Sequence, residues 1–137
     1  MILLDTHIWL WWIHEDPMPR ELKLALETRE DGQRLAVSAM SCWEVAKLVE
    51  HGRMALGMDI DEWLEAALGP SDISLIPLSP RIAAEACGLP GEFHRDPADQ
   101  IIVATSRVYD MPLVTADEKI RCYPYVRLIE GMRIHDR

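Results

Sequence analysis

The chain has 137 residues, 49% apolar and 27% charged, which suits a single folded domain spanning 1–137 and excludes a disordered chain. No apolar run approaches the roughly 18–20 residues that span a bilayer, so no membrane role is expected. The net charge of −9, from 14 basic and 23 acidic residues, excludes a generally basic nucleic-acid binder. A polyanionic partner would need a local basic rim or bound cations to offset the acids.

The N-terminal MILLDTH has no basic segment before its apolar run, so no secretory leader is expected and a cytoplasmic address is the default. MILL (1–4) reads as a buried strand ending at Asp5. Residues 8–13, IWLWWI, are apolar all round and read as a helix covered on several sides. After the proline-bearing loop 14–19, Pro19 can open a helix that Leu22, Leu24, Ala25 and Leu26 carry toward Asp31-Gly32. LAVS (35–38) is a second strand, and Ser41 opens a helix running to about His51-Gly52. Helical spacing of Ile60, Trp63, Leu64, Ala67 and Leu68 predicts another over 59–68.

ISLIPL (73–78) is a third strand, followed by a helix with Ser79 as cap and Pro80 at its first position. A helix over 97–109, the strand PLVT (112–115), a short helix from TADEKI and a last strand YVRLI (125–129) complete the series. Strands alternating with helices imply a three-layer α/β/α fold around a mostly parallel sheet of four to five strands. Ligands in such folds bind beyond the carboxyl ends of the strands, near a switch in strand order.

Asp5, Glu44 and Asp117 each fall within a few residues of a strand's carboxyl end, and Asp96 and Asp99 open the helix before the fourth strand. Each also has a capping reading. Ser41–Glu44 and Thr115–Glu118 match capping boxes, Glu44 can pair with Lys47, and Asp96-Pro97-Ala98-Asp99 has an N-cap Asp with Pro behind it. Independent caps have no reason to gather on one sheet edge, where carboxylates repel and their pKa values rise. Oxygen-seeking divalent cations are the usual remedy. Asp96 is the better cap and Asp99 the better ligand.

LLDTHIWLW (3–11), VSAMSCWEVAKL (37–48), HRDPADQIIVATS (94–106) and LVTADEKI (113–120) together resemble a PIN-domain ribonuclease, in particular the VapC-type toxins of toxin–antitoxin pairs. Their order and spacing cover essentially the whole chain. By position, the family's acidic quartet falls on Asp5, Glu44, Asp99 and Asp117, with Asp96 a frequent companion and Thr6 and Thr115 at small hydroxyl positions. The resemblance implies a PIN-like fold and an endoribonuclease that uses one or two Mg²⁺ or Mn²⁺ ions held by those acids. It also implies an RNA substrate, a homodimer and inhibition by a VapB-type antitoxin. Gln100 departs from it, since relatives with this segment often carry Arg there.

Arg95, Lys119, Arg121, Lys47 and Arg53 are candidates for the basic rim. Trp11 or Trp12 is expected to line a groove for a dimer mate or antitoxin, because an all-apolar helix must cover its outer side. The five histidines show no HxxxH spacing, which argues against histidine-bound zinc. Cys42, Cys87 and Cys122 show no CxxC pairing and are expected to be reduced core thiols. A dehalogenase-type phosphatase would need a second Asp where His7 stands; a receiver domain would need paired acids after the first strand, and P-loop or dinucleotide signatures are missing. The rival from another class is a PIN-fold module that binds RNA or protein without cutting.

Overall fold

The computed structural model describes residues 1–70, 72–129 and 131–134. Among them are strands β1 (Ile2–Leu4), β2 (Leu35–Ser38), β3 (Ile73–Ile76) and β4 (Leu113–Val114). Helices are α1 (Thr6–His14), α2 (Arg20–Glu27), α3 (Ala39–Glu50), α4 (Ile60–Ala67), α5 (Pro80–Cys87), α6 (Pro97–Tyr109) and α7 (Glu118–Cys122). The sheet runs β3-β2-β1-β4 with every pair parallel. The chain therefore winds outward from β1 to β3, then returns to lay β4 on the other side of β1. The switch in direction lies between β1 and β4.

Because side chains alternate across a strand, the short apolar strands feed two cores. Ile2, Leu4, Leu35, Val37 and Val114 pack with Ile8 and Trp9 of α1, Leu22 and Leu26 of α2, Val45 of α3 and Trp63 of α4. Leu3, Ala36 and Leu113 point the other way, onto Ile82 of α5, Ile102 and Val103 of α6 and Ile120 of α7. This is a three-layer α/β/α arrangement, with α1–α4 on one face and α5–α7 on the other. Burial of each large apolar side chain stabilises it by about 1.5–3 kcal/mol.

Several sequence expectations are corrected. The helix after β2 begins at Ala39 under a Ser38 cap, whose hydroxyl accepts from the Met40 N–H at 3.1 Å. Ser41 is thus inside the helix, fully buried, and Glu44 lies in its second turn. Pro19 is the N-cap of α2, which stops at Glu27, where the Thr28 hydroxyl donates to the Leu24 carbonyl. YVRLI forms no strand: it touches the sheet through one parallel bridge, Leu113 to Leu128. Cys87 and Cys122 are exposed and Cys42 half-buried, so the thiols are not core residues. Ser79 and Asp96 cap α5 and α6 as expected, each with Pro at the first position.

Candidate active site

The carboxyl ends of four parallel strands share one edge, and each delivers its loop there. Asp5 follows β1 directly, and its backbone N–H donates to the Val114 carbonyl across the switch point at 3.0 Å. Its side chain is buried: Oδ1 accepts from the Thr6 N–H at 2.8 Å and Oδ2 from the Thr115 hydroxyl at 2.6 Å. Asp5 is thus the cap of α1 as well as a member of the cluster.

Thr115, fully buried, braces Asp5 from the β4 side. Its Oγ1 accepts from the Asp117 N–H at 3.0 Å while donating to Asp5. The cap of α7 is therefore Asp117, whose Oδ1 accepts from the Ile120 N–H at 3.0 Å, and not Thr115 as the T-x-x-E pattern suggests. On the β2 side, the Thr6 hydroxyl donates to Glu44 Oε1 at 2.5 Å and lies 2.8 Å from the Ser41 hydroxyl. Glu44 is consequently tied to α1, neither capping α3 nor pairing with Lys47, which instead meets Glu50 at 3.2 Å.

The helix α6 does begin at this edge, which the sequence could not establish. Asp96 accepts from the Asp99 N–H at 3.0 Å and stays exposed, a cap outside the cavity. Asp99 turns inward, with Oδ2 2.7 Å from His94 Nε2. Gln100, where the resemblance leads one to expect Arg, donates from Nε2 to the His94 carbonyl at 3.2 Å and so steadies the residue that holds Asp99.

Asp5, Glu44, Asp99 and Asp117 line one cavity of about 330 Å³, together with Thr6, His7, Trp11 and Ala116. No Lys or Arg is among these lining residues. Burial pushes the Glu44 carboxyl up to about 7, with repulsion from Asp5, Asp99 and Asp96 adding to it against the Thr6 bond. Burial likewise raises Asp99, reinforced by the charges of Asp5, Asp96 and Asp117 and opposed by His94. Asp5 is raised chiefly by desolvation, which its bonds to Thr115 and Thr6 only offset in part.

Among the described residues no group of three or more His, Cys, Asp or Glu side chains closes on a point at direct ligating distance. The donor set nonetheless fits a hard divalent cation. Glu44 Oε2, Asp99 Oδ1 and Asp117 Oδ2 accept no hydrogen bond among the described residues, so these three acids each keep one oxygen free, while both Asp5 oxygens accept one bond and offer a cation only their remaining lone pairs. Mg²⁺ typically takes only one or two carboxylates and keeps several waters.

A PIN-domain family model matches residues 2–124, a span that holds all the acids of the cavity. The chain belongs to the PIN-domain family. Ribonuclease VapC22 of Mycobacterium tuberculosis (strain ATCC 25618 / H37Rv) is 35% identical over 127 residues, covering 92% of this chain and 94% of that protein. A toxin–antitoxin complex from Klebsiella pneumoniae contains a chain 25% identical, with TM-score 0.60, covering 87% of this chain and 88% of that one. VapBC2 from Rickettsia felis, bound to a DNA fragment from its promoter, shares the fold at 20% identity and TM-score 0.62, over 93% of this chain and 97% of that one.

Within this PIN domain, sequence reasoning missed His94, Ser41 and His7. His94 sits five residues before Asp99 in HRDPAD, a spacing that a search for zinc-type histidine pairs passes over. The proposed rim is uneven. Arg121 donates to the Met132 carbonyl and serves the fold, Arg95 and Lys119 are exposed, and Lys47 and Arg53 border a second cavity that shares Thr6, His7 and Glu44 with the first. Trp11 and Trp12 are half-buried and line a cavity of about 510 Å³ with Met18 and Lys23, and Trp11 also reaches the carboxylate cavity.

Proposed function

We propose that this PIN domain is a divalent-metal-dependent endoribonuclease and the toxin of a toxin–antitoxin pair. One observation carries the reading: four carboxylates, from the N-caps of α1 and α7, the second turn of α3 and the first turn of α6, line one cavity that holds no Lys or Arg to neutralise them. The 35% identity to Ribonuclease VapC22 supports the activity, and the match to toxin–antitoxin complexes supports a VapB-type antitoxin as partner.

Asp5, Asp99 and Asp117, with Glu44, would hold one or two Mg²⁺ or Mn²⁺ ions, which supply positive charge for the phosphate and lower the pKa of a bound water. The chain's own residues arrange the rest. Thr115 fixes Asp5 and Asp117 against each other, His94 fixes Asp99, and Thr6 fixes Glu44. Asp96 supports them by capping α6. Where Glu44 is not a direct ligand, its one free oxygen would orient the attacking water and take up its proton. The water oxygen bonds to phosphorus, the ester P–O bond breaks, and the proton passes to the leaving oxygen. We further propose a single domain over 1–137, a homodimer and a cytoplasmic location; no described helix is long and apolar enough to cross a membrane.

The test is cleavage of RNA by purified protein with Mg²⁺ or Mn²⁺, with EDTA, and by Asp99→Asn. Metal-dependent cleavage lost in the variant is the expected result. Equal residual cleavage in both proteins points to a contaminant and leaves an RNA- or protein-binding module as the better reading.

A further inference from the structure

The inference rests on the RNA-binding part of the proposed function and concerns a surface beside the catalytic cavity. Glu44, Lys47, Leu48 and His51 recur at i, i+3, i+4 and i+7, so they share one face of α3. Gly52 then takes a left-handed conformation, φ 70°, and the chain doubles back so that the Arg53 N–H meets the Leu48 carbonyl at 2.8 Å. This turn returns a cation to the face that Glu44 begins.

The result is a shallow cavity of about 180 Å³ lined by Trp43, Lys47, His51 and Arg53, and by the same Thr6, His7 and Glu44 that border the carboxylate cavity. Trp43 is 55% exposed, although burial is the ordinary fate of an indole. The Lys47 ammonium lies over its ring, 5.6 Å from the centroid. Lys47 shares its charge with Glu50, but Arg53 has no side-chain partner among the described residues. In a chain of net charge −9, the cavity joins an exposed indole, with Lys47 over one face, to two cations and two histidines beside Glu44. That combination fits a stacked base with its phosphate, the pattern of single-strand binding.

We infer that Trp43 is the stacking platform for a nucleobase next to the scissile phosphate of single-stranded RNA, with Lys47 and Arg53 holding the adjoining backbone phosphate. The charge of the lining favours this over a protein segment: beside Trp43, Leu48 is its one large apolar side chain. A duplex does not satisfy the geometry, because its bases are already stacked. Trp43 is a binding residue, and its effect falls on substrate affinity.

Two measurements test it. With a short unstructured oligoribonucleotide, Trp43→Ala should raise KM roughly tenfold and leave kcat within about twofold, and Trp43→Phe should recover most of the loss. Lys47→Gln and Arg53→Gln should each lower the slope of log KM against log salt by about 0.7, one phosphate contact on a single strand. Separately, a 5-iodouridine oligoribonucleotide irradiated with the Asp99→Asn protein should crosslink at Trp43.

A crosslink at Trp43 without cleavage by the unaltered protein would sink the nuclease reading and keep the stacking site. Cleavage by the unaltered protein, with KM and salt slope unmoved in the variants and the crosslink elsewhere, overturns the stacking site and keeps the nuclease. A Trp43→Ala protein that changes only its sedimentation mass also overturns it, since the face then belongs to a protein contact.

Discussion

The two ends of the sheet treat their acids differently. At the amino end, a cavity of about 460 Å³ is lined by Glu27, Glu30, Asp31 and Asp72, but Arg29 and Arg34 stand among them. Arg29 pairs with Asp72 at 3.0 Å and donates to the Leu26 and Gln33 carbonyls, and Arg34 reaches the Ser74 hydroxyl. At the carboxyl end the cavity is smaller, about 330 Å³, yet its acids are more buried and meet only hydroxyls, backbone N–H groups and His94. Cavity size does not mark the site. The lack of a Lys or Arg among the acids does, since the fold spends stability to keep those carboxylates together.

The sharpest way to break this contrast is to neutralise one acid at each end. Asp99→Asn should lower RNA cleavage more than the roughly 10–100-fold typical of losing an outer partner of a metal ligand. Asp72→Asn should leave initial rates within about twofold, and a comparable loss there would erase the distinction between the ends. A smaller effect belongs to Thr115→Val, which strips a hydroxyl from both Asp5 and the Asp117 N–H. Urea unfolding should show a loss of about 1–3 kcal/mol, the cost of leaving buried polar groups unpaired; an unchanged midpoint would mean that water replaces the hydroxyl.

The pH dependence follows from the raised carboxyls. Glu44 titrates near 7 in the folded protein against 4.5 as a free side chain, and Asp5 and Asp99 are raised too. A raised folded value means that protonation favours the native state. The contribution is whole below about pH 4.5 and is lost as pH climbs through 7. In EDTA, the denaturation midpoint of the unaltered protein should therefore fall between pH 5 and 7.5 more than that of Glu44→Gln. Parallel curves would show that Glu44 is not desolvated. The smallest effect is expected at the amino end, where a double-mutant cycle on Arg29 and Asp72 should give under about 1 kcal/mol of coupling, as for exposed pairs elsewhere. A larger value would make that end more than a solvated ion pair.

How far the sequence was legible follows the range of the interactions. Asp5 after MILL, the Pro-backed caps at Ser79 and Asp96, and the alternation of strands with helices are local patterns, and they stand in the structure. The two capping boxes failed for one reason. Ser41 and Thr115 match the local pattern, but their hydroxyls are taken by partners far away in the chain, Thr6 for one and Asp5 for the other. Ser38 and Asp117 then do the capping. Likewise YVRLI has strand composition, but β4 spans only Leu113–Val114, and the segment meets it at one bridge. His94 was illegible because its role depends on where the start of α6 lies.

The central claim, that the carboxyl end forms one cation site, is tested most directly by titrating Mn²⁺ into the protein and following the paramagnetic signal of the free ion. Saturable binding that weakens in Asp99→Asn and in Asp117→Asn, and is unmoved by Asp72→Asn, is the expected result. Binding that is absent from the unaltered protein, or equally strong in all four, would contradict the account.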